Sequence, residues 1–136
     1  MAKAKWGWVY SPKKPQPNKV SEQLQKEISE KAVELVEFLK PKWIEENTEG
    51  YEHNHIVDIY SQWSRNRFYF CSKYACPGPN SVSPFFETKF ARMTPTSNEK
   101  FNLAYFRYTG QWNEIFEDLT WEECFELIKE GNWFQP

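Results

Sequence analysis

Cys71 and Cys76 stand five positions apart in "FCSKYACPGPN", and His53 and His55 are two apart in "EHNHIV". Thiolates and imidazoles are zinc ligands. Two histidines on one strand, facing the cysteine pair on a hairpin partner, would make a four-ligand site. The C-x4-C spacing is longer than a redox C-x-x-C, and no second pair completes a metal knuckle. The competing reading is two surface histidines at the start of a strand and two thiols beside a Cys-Pro-Gly-Pro turn. Proline fixes φ, so such a turn is stiff. The segment therefore reads first as a bend and second as a metal site.

A second constellation pairs cations with rings. Arg67, Tyr69 and Lys73 share one side of "RFYFCSKYA", because alternate strand residues point the same way. Arg107 and Trp112 bracket a Thr109-Gly110 hairpin, and the Pro77-Gly78-Pro79 turn can carry Asn80 to the same end. Arg67, Tyr69, Lys73, Asn80, Arg107 and Trp112 are the predicted binding rim. Arginine beside exposed rings suits a single-strand nucleic-acid platform, and Trp, Tyr and Arg also dominate protein interface hot spots. Asp58, Glu87, Glu114 and Glu117 alternate among the same strands, so cross-strand ion pairs explain the arginines equally well. Trp112 reads equally well as core. No nucleophile with a neighbouring base and orienter can be read from spacing, and 19 acids make chance carboxylate pairs inevitable. No enzyme and no cofactor is expected.

The chain of 136 residues suits one domain with a real core. Aromatic residues make up 18% (7 Trp, 7 Tyr, 11 Phe), enough to fill a core and leave rings for a surface. No apolar run approaches the roughly 20 residues that span a bilayer, and "MAKAKWGWVY" lacks a signal core. Three cysteines, an odd number, favour reduced thiols, so the expected compartment is cytoplasmic. The net charge of −2 is unevenly spread. Residues 1–20 hold five lysines and no acid, whereas the other 116 hold 12 basic and 19 acidic groups. The arm reaches toward a polyanion, folds back on its own domain, or simply aids solubility.

These residues need a frame. "SPKKPQPNK" reads as an extended linker, and Trp6, Trp8 and Tyr10 before it alternate like a short strand. Ser21 caps a helix running through Leu39, with Leu24, Ile28, Ala32, Leu35, Val36 and Leu39 as its apolar stripe. Pro41 is expected to end that helix near Lys40. Five strand patterns follow: "HIVDIYSQW", "RFYFCSKYA", "PFFETKFARM", "KFNLAYFRY" and "QWNEIFE". Short turns between them predict an antiparallel meander. Thr120 and Glu123 match a capping box, Leu119 and Cys124 the accompanying staple, and Gly131 a helix stop. The inward stripe of that last helix is Trp121, Cys124, Phe125 and Ile128.

At "FFETKFARM", "FNLAYFRYTGQWNEI", "LTWEECFELIKEG" and "NWF" the chain resembles a family of small, mostly bacterial proteins known only as a domain of unknown function. Lys89, Phe90, Tyr105, Arg107, Gly110, Gln111, Trp112, Thr120, Glu123 and Phe134 carry the likeness, over roughly the last 50 residues. It departs at Asn113, where the family usually has His after Trp. The resemblance implies strands followed by a helix, and it implies no activity.

The expectation is an α+β fold: a five-stranded antiparallel meander with one helix before and one after it, both on one sheet face. Residues 1–20 form a basic arm, and 21–136 a single domain. The expected function is non-enzymatic, with another protein as partner and no membrane. The alternatives are a nucleic-acid binder using the arm and the arginine-bearing strands, and a small zinc protein using His53, His55, Cys71 and Cys76.

Overall fold

The computed structural model describes residues 19–45, 50–97 and 99–136. The Lys- and Pro-rich arm and the alternating rings at 6–10 lie outside the described residues, as does part of the acidic loop at 46–49.

Helix α1 covers Glu22–Trp43, and Ser21 caps it by accepting a hydrogen bond from the Leu24 N–H. Its six predicted stripe residues are all buried. The helix does not stop at Lys40: Pro41 lies inside its last turn. A proline there removes one intrahelical donor, while the Ile44 N–H still reaches the Lys40 carbonyl at 2.8 Å. The extra turn lets Trp43 and Ile44 pack against the core.

The strands are β1 (His55–Ser64), β2 (Arg67–Ala75), β3 (Phe85–Pro95), β4 (Phe101–Phe106) and β5 (Trp112–Leu119). They lie in sequence order in one sheet, every pair antiparallel. Arg65 and Asn66 both take positive φ, which fits the two-residue turn joining β1 and β2 to the strand twist. Helix α2 (Trp121–Glu130) has a complete capping box, with Thr120 N–H to Glu123 at 2.9 Å and Glu123 N–H to Thr120 at 3.2 Å. Gly131 ends it in the left-handed conformation, φ 76°.

Both helices cover one face of the sheet. Helix α1 packs on β1, α2 packs on β4 and β5, and the helices touch each other. The Trp63 indole N–H ties sheet to α1 by donating to the Gln25 carbonyl (3.2 Å) and to Ser29 Oγ (3.0 Å). Phe68 and Phe70 of β2 are fully buried, with ring centroids 6.4 and 5.5 Å from Phe125 of α2. The opposite sheet face has no helix on it among the described residues.

Removing the Thr120 cap with Thr120→Ala is expected to cost about 1 kcal/mol, read in thermal melts as a fall in Tm of about 4 °C. A drop as large as that of a core deletion would mean that the side chain does more than cap.

Candidate functional site on the open sheet face

Alternation along β2 places Phe68 and Phe70 inward and leaves Arg67, Tyr69, Cys71 and Lys73 on the uncovered face. Across the sheet, Gln62, Tyr69, Arg92, Ala104 and Glu114 occupy successive partner positions in one row. The small Ala104 leaves room for the Arg92 side chain to cross over it. Its guanidinium meets Glu114 at 3.6 Å and lies 4.8 Å from the Trp112 ring centre. Burial above all, and then the charge of Arg67, lowers the pKa of Arg92, while Glu114 opposes the shift.

The next row holds Tyr60, Cys71 and Lys89 on one side and Phe106 and Trp112 on the other. The β3–β4 ladder ends at Ala91 and Tyr105, so nothing pairs across from Lys89. That termination opens a cavity of about 510 Å³ lined by Tyr60, Gln62, Cys71, Glu87, Lys89, Phe106 and Trp112, among others. Trp112 contacts Phe106 edge-on at 5.1 Å and Tyr69 at 5.9 Å, and the Lys89 ammonium lies 5.2 Å from the Tyr69 ring centre. The result is one ring cluster with two cations laid on it.

A bulge makes this grouping possible. Phe70 pairs with Ala91 but Cys71 pairs with Lys89, so Phe90 is an extra residue in β3. Lys89 and Arg92 are three apart in sequence and would face opposite ways in a regular strand. With Phe90 absorbed into the core, 4% exposed, both reach the open face.

The predicted rim is thus partly assembled. Tyr69 and Trp112 come together at 5.9 Å, and Trp112 is half-buried on the open face, not in the core, whereas Arg67 stands on the same face but four residues from Cys71 along β2 and away from the rings. Lys73 shares the face but lies farther along, its ammonium 4.7 Å from the Phe85 ring. Arg107 was expected on a strand; it follows β4 and sits exposed in the hairpin, which its backbone closes by bonding Gln111 and Gly110. Asn80 is exposed in the β2–β3 turn, beyond Phe85, and six strand residues (about 20 Å) separate Phe85 from the last paired position, Ala91. The extended ladder of β2 and β3 carries Asn80 away from the ring cluster. Tyr60, Lys89, Arg92 and Phe106 belong to the site but were not in the predicted rim. Their signal was the alternation of strand residues, readable for Tyr60 and Phe106 and masked by the bulge for the two cations.

The four candidate zinc ligands do not converge. Cys71 faces Tyr60 and His55 faces Ala75, five residues or about 17 Å apart along β1. His53 stacks on Tyr51 at 4.7 Å, and His55 Nδ1 lies 2.9 Å from the His53 carbonyl. No group of three His, Cys, Asp or Glu suited to a metal occurs among the described residues. The segment after Cys76 is a bend: the Cys76 N–H bonds the Pro84 carbonyl at 2.7 Å, and the Ser81 N–H bonds Gly78 at 3.1 Å.

At the cavity floor Tyr60 donates its hydroxyl to Glu87, and burial first, then this carboxylate, raises its pKa. Burial pushes the Cys71 thiol up to about 11, against the opposing pull of Lys89 and the Tyr60 hydrogen bond. Cys124, fully buried on α2, is pushed up to about 12 for the same reason.

A thiol whose folded pKa is raised stays protonated while the unfolded chain ionises. Its stabilising contribution is full below the ordinary thiol value and is lost as pH rises above it. Unfolding titrations should therefore show stability declining between about pH 9 and pH 11. At pH 8 iodoacetamide should label the half-exposed Cys76 in the native protein, and Cys71 and Cys124 only after denaturation. Rapid native labelling of Cys71 would contradict this account.

No match was found among curated proteins or among solved structures. No helix among the described residues is long and apolar enough to cross a membrane. The family model for the domain of unknown function DUF3024 matches residues 28–136. The likeness thus reaches back through most of α1 and all five strands, well beyond the last 50 residues that carried it in the sequence. Asn113 donates to the Tyr105 hydroxyl at 3.3 Å. With most of its length matched, the chain belongs to the DUF3024 family, a domain of unknown function.

Proposed function

We propose that the protein is a non-enzymatic interaction module that docks another protein on its open sheet face. The observation that carries this reading is the solvent-facing cluster of Tyr69, Phe106 and Trp112 around a cavity, with Lys89 and Arg92 over its rings. Rings held by their neighbours lose little freedom on binding, and Trp, Tyr and Arg supply most interface energy.

Charge argues for a protein over a nucleic acid. Glu87 and Glu114 share the face with Arg67, Lys73, Lys89 and Arg92, and Arg92 is already paired with Glu114, whereas Asp58 turns to Lys40 of α1 at 3.7 Å. Such a surface lacks the single-sign field that gathers phosphates. The buried, protonated Cys71 is a poor nucleophile, which supports a binding role over catalysis. Three free thiols support a reducing, cytoplasmic setting.

Phe106 and Lys89 are both exposed, so Phe106→Ala with Lys89→Glu tests the face with little risk to the fold. A docked partner that uses them as anchors should be lost roughly 30-fold, the effect of about 2 kcal/mol. Tagged full-length protein would be compared with the variant in pulldowns, with and without nuclease and across a salt series. Capture unchanged in the variant would overturn the reading. Capture abolished by nuclease, or falling steeply with salt, would replace the protein partner by a nucleic acid.

A further inference from the structure

One stretch of β3 has a neighbouring strand on one side only. From Phe85 to Lys89 it pairs with β2, but its ladder with β4 begins at Ala91 and Tyr105. The Cys76 N–H bonds the Pro84 carbonyl, so that carbonyl points toward β2 and the next N–H, that of Phe85, points away. Both backbone groups of an antiparallel strand residue turn to the same side, and the side alternates along the chain. The N–H and C=O of Phe85, Glu87 and Lys89 therefore face the gap where β4 is missing. Ser83 Oγ satisfies those of Phe85, donating to its carbonyl at 2.8 Å and accepting from its N–H at 3.4 Å. Among the described residues nothing bonds those of Glu87 and Lys89.

We propose that this gap receives an extended acidic segment of the partner protein as an added strand, antiparallel to β3 and in line with β4. Two residues with both backbone groups unpaired offer four hydrogen bonds, the grip used in strand addition. Glu87, Thr88 and Lys89 line the cavity on one side and Phe106 and Trp112 on the other, so side chains of the added strand meet the rings.

Charge selects the segment. The Lys89 ammonium lies over the Tyr69 ring at 5.2 Å and that of Lys73 over Phe85 at 4.7 Å, and neither has an ion pair among the described residues. Glu87 is held by the Tyr60 hydroxyl, and Arg92 by Glu114. The two lysines are thus the uncompensated charges of this stretch, and an acid opposite Lys89 makes a favourable cross-strand pair. A nucleic acid has no strand backbone to add. A second copy of this edge fits poorly. Pairing two copies about Glu87 opposes two glutamates, and pairing them about Thr88 sets the second Phe85 opposite Ala91, where Tyr105 already stands.

The inference rests on the docking role of the open face proposed above, and it names the partner's chemistry and its mode of attachment. Random heptapeptides displayed on phage and selected on the full-length protein should be enriched in Asp and Glu. The most enriched sequence, made as a synthetic peptide, is the probe. In NMR hydrogen exchange the Glu87 and Lys89 amides should exchange fast in the free protein and slow about tenfold or more with the peptide bound. Lys89→Glu should weaken the peptide about tenfold. Glu87→Pro should weaken it by a similar factor, because it removes a donor that β2 does not use. Glu87→Gln, which removes only charge, should bind the acidic peptide at least as well as the native chain. Methylating alternate amides of the peptide should abolish binding, a test that leaves the protein untouched. Enrichment of basic peptides, no enrichment at all, or bound peptide that leaves both amides unprotected would each overturn the added strand. So would a dimer of the free chain that Glu87→Pro dissolves. Partner capture lost with Phe106→Ala and Lys89→Glu but kept with Glu87→Pro would overturn the strand and leave the docking face standing. Selection and exchange need no cellular partner, so their success alongside an empty pulldown would sink only the partner-docking function.

Discussion

Phe68 and Phe70 seated against Phe125 are the contact on which the other features rest. Strand side chains alternate with period two, so burying these two rings decides the direction of every neighbour on β2. A slip of one residue would turn Arg67, Tyr69 and Lys73 into the core and expose the phenylalanines, at a cost of several kcal/mol for the buried rings alone. Trp63 reinforces the register from the side, because its indole N–H finds two acceptors on α1 only when it faces the helix. With two helices spent on one face, the other is left to solvent or to a partner.

What that open face looks like follows from two irregularities. The extra residue at Phe90 allows two cations three apart in sequence to share a side. The early end of the β3–β4 ladder leaves Lys89 without a partner on β4, and a cavity takes the place of the missing pair. A regular five-stranded sheet would have had neither. Bulges are common where a strand must re-aim a side chain, and here the re-aimed groups are the ones that cover the Tyr69 and Trp112 rings.

Electrostatics then gives the face its character. Arg92 is held by Glu114 and stacked on Trp112, so it stiffens the ring cluster and offers little free charge. Tyr60 and Glu87 are tied to each other, and Cys71 beneath them is kept neutral by burial. Ordered rings flanked by charges of both signs suit a surface that recognises shape over bulk charge.

The local elements were legible in the sequence because their signals are local. The stripe from Leu24 to Leu39 set α1, the Thr120–Glu123 box set the start of α2, and five alternating runs with short turns left an antiparallel meander as the natural arrangement. The pairing of Arg67, Tyr69 and Lys73 on one side was also readable, since it needs only alternation. Pro41 misled about the end of α1, because the packing of Trp43 and Ile44 outweighs one lost helix bond. The site was less legible. Whether Trp112 lies in the core or on the open face, whether Lys89 joins Arg92, and how far Asn80 stands from the rings depend on a bulge and on where one ladder stops. Those are set by how residues distant in sequence fit together, and no local pattern encodes them.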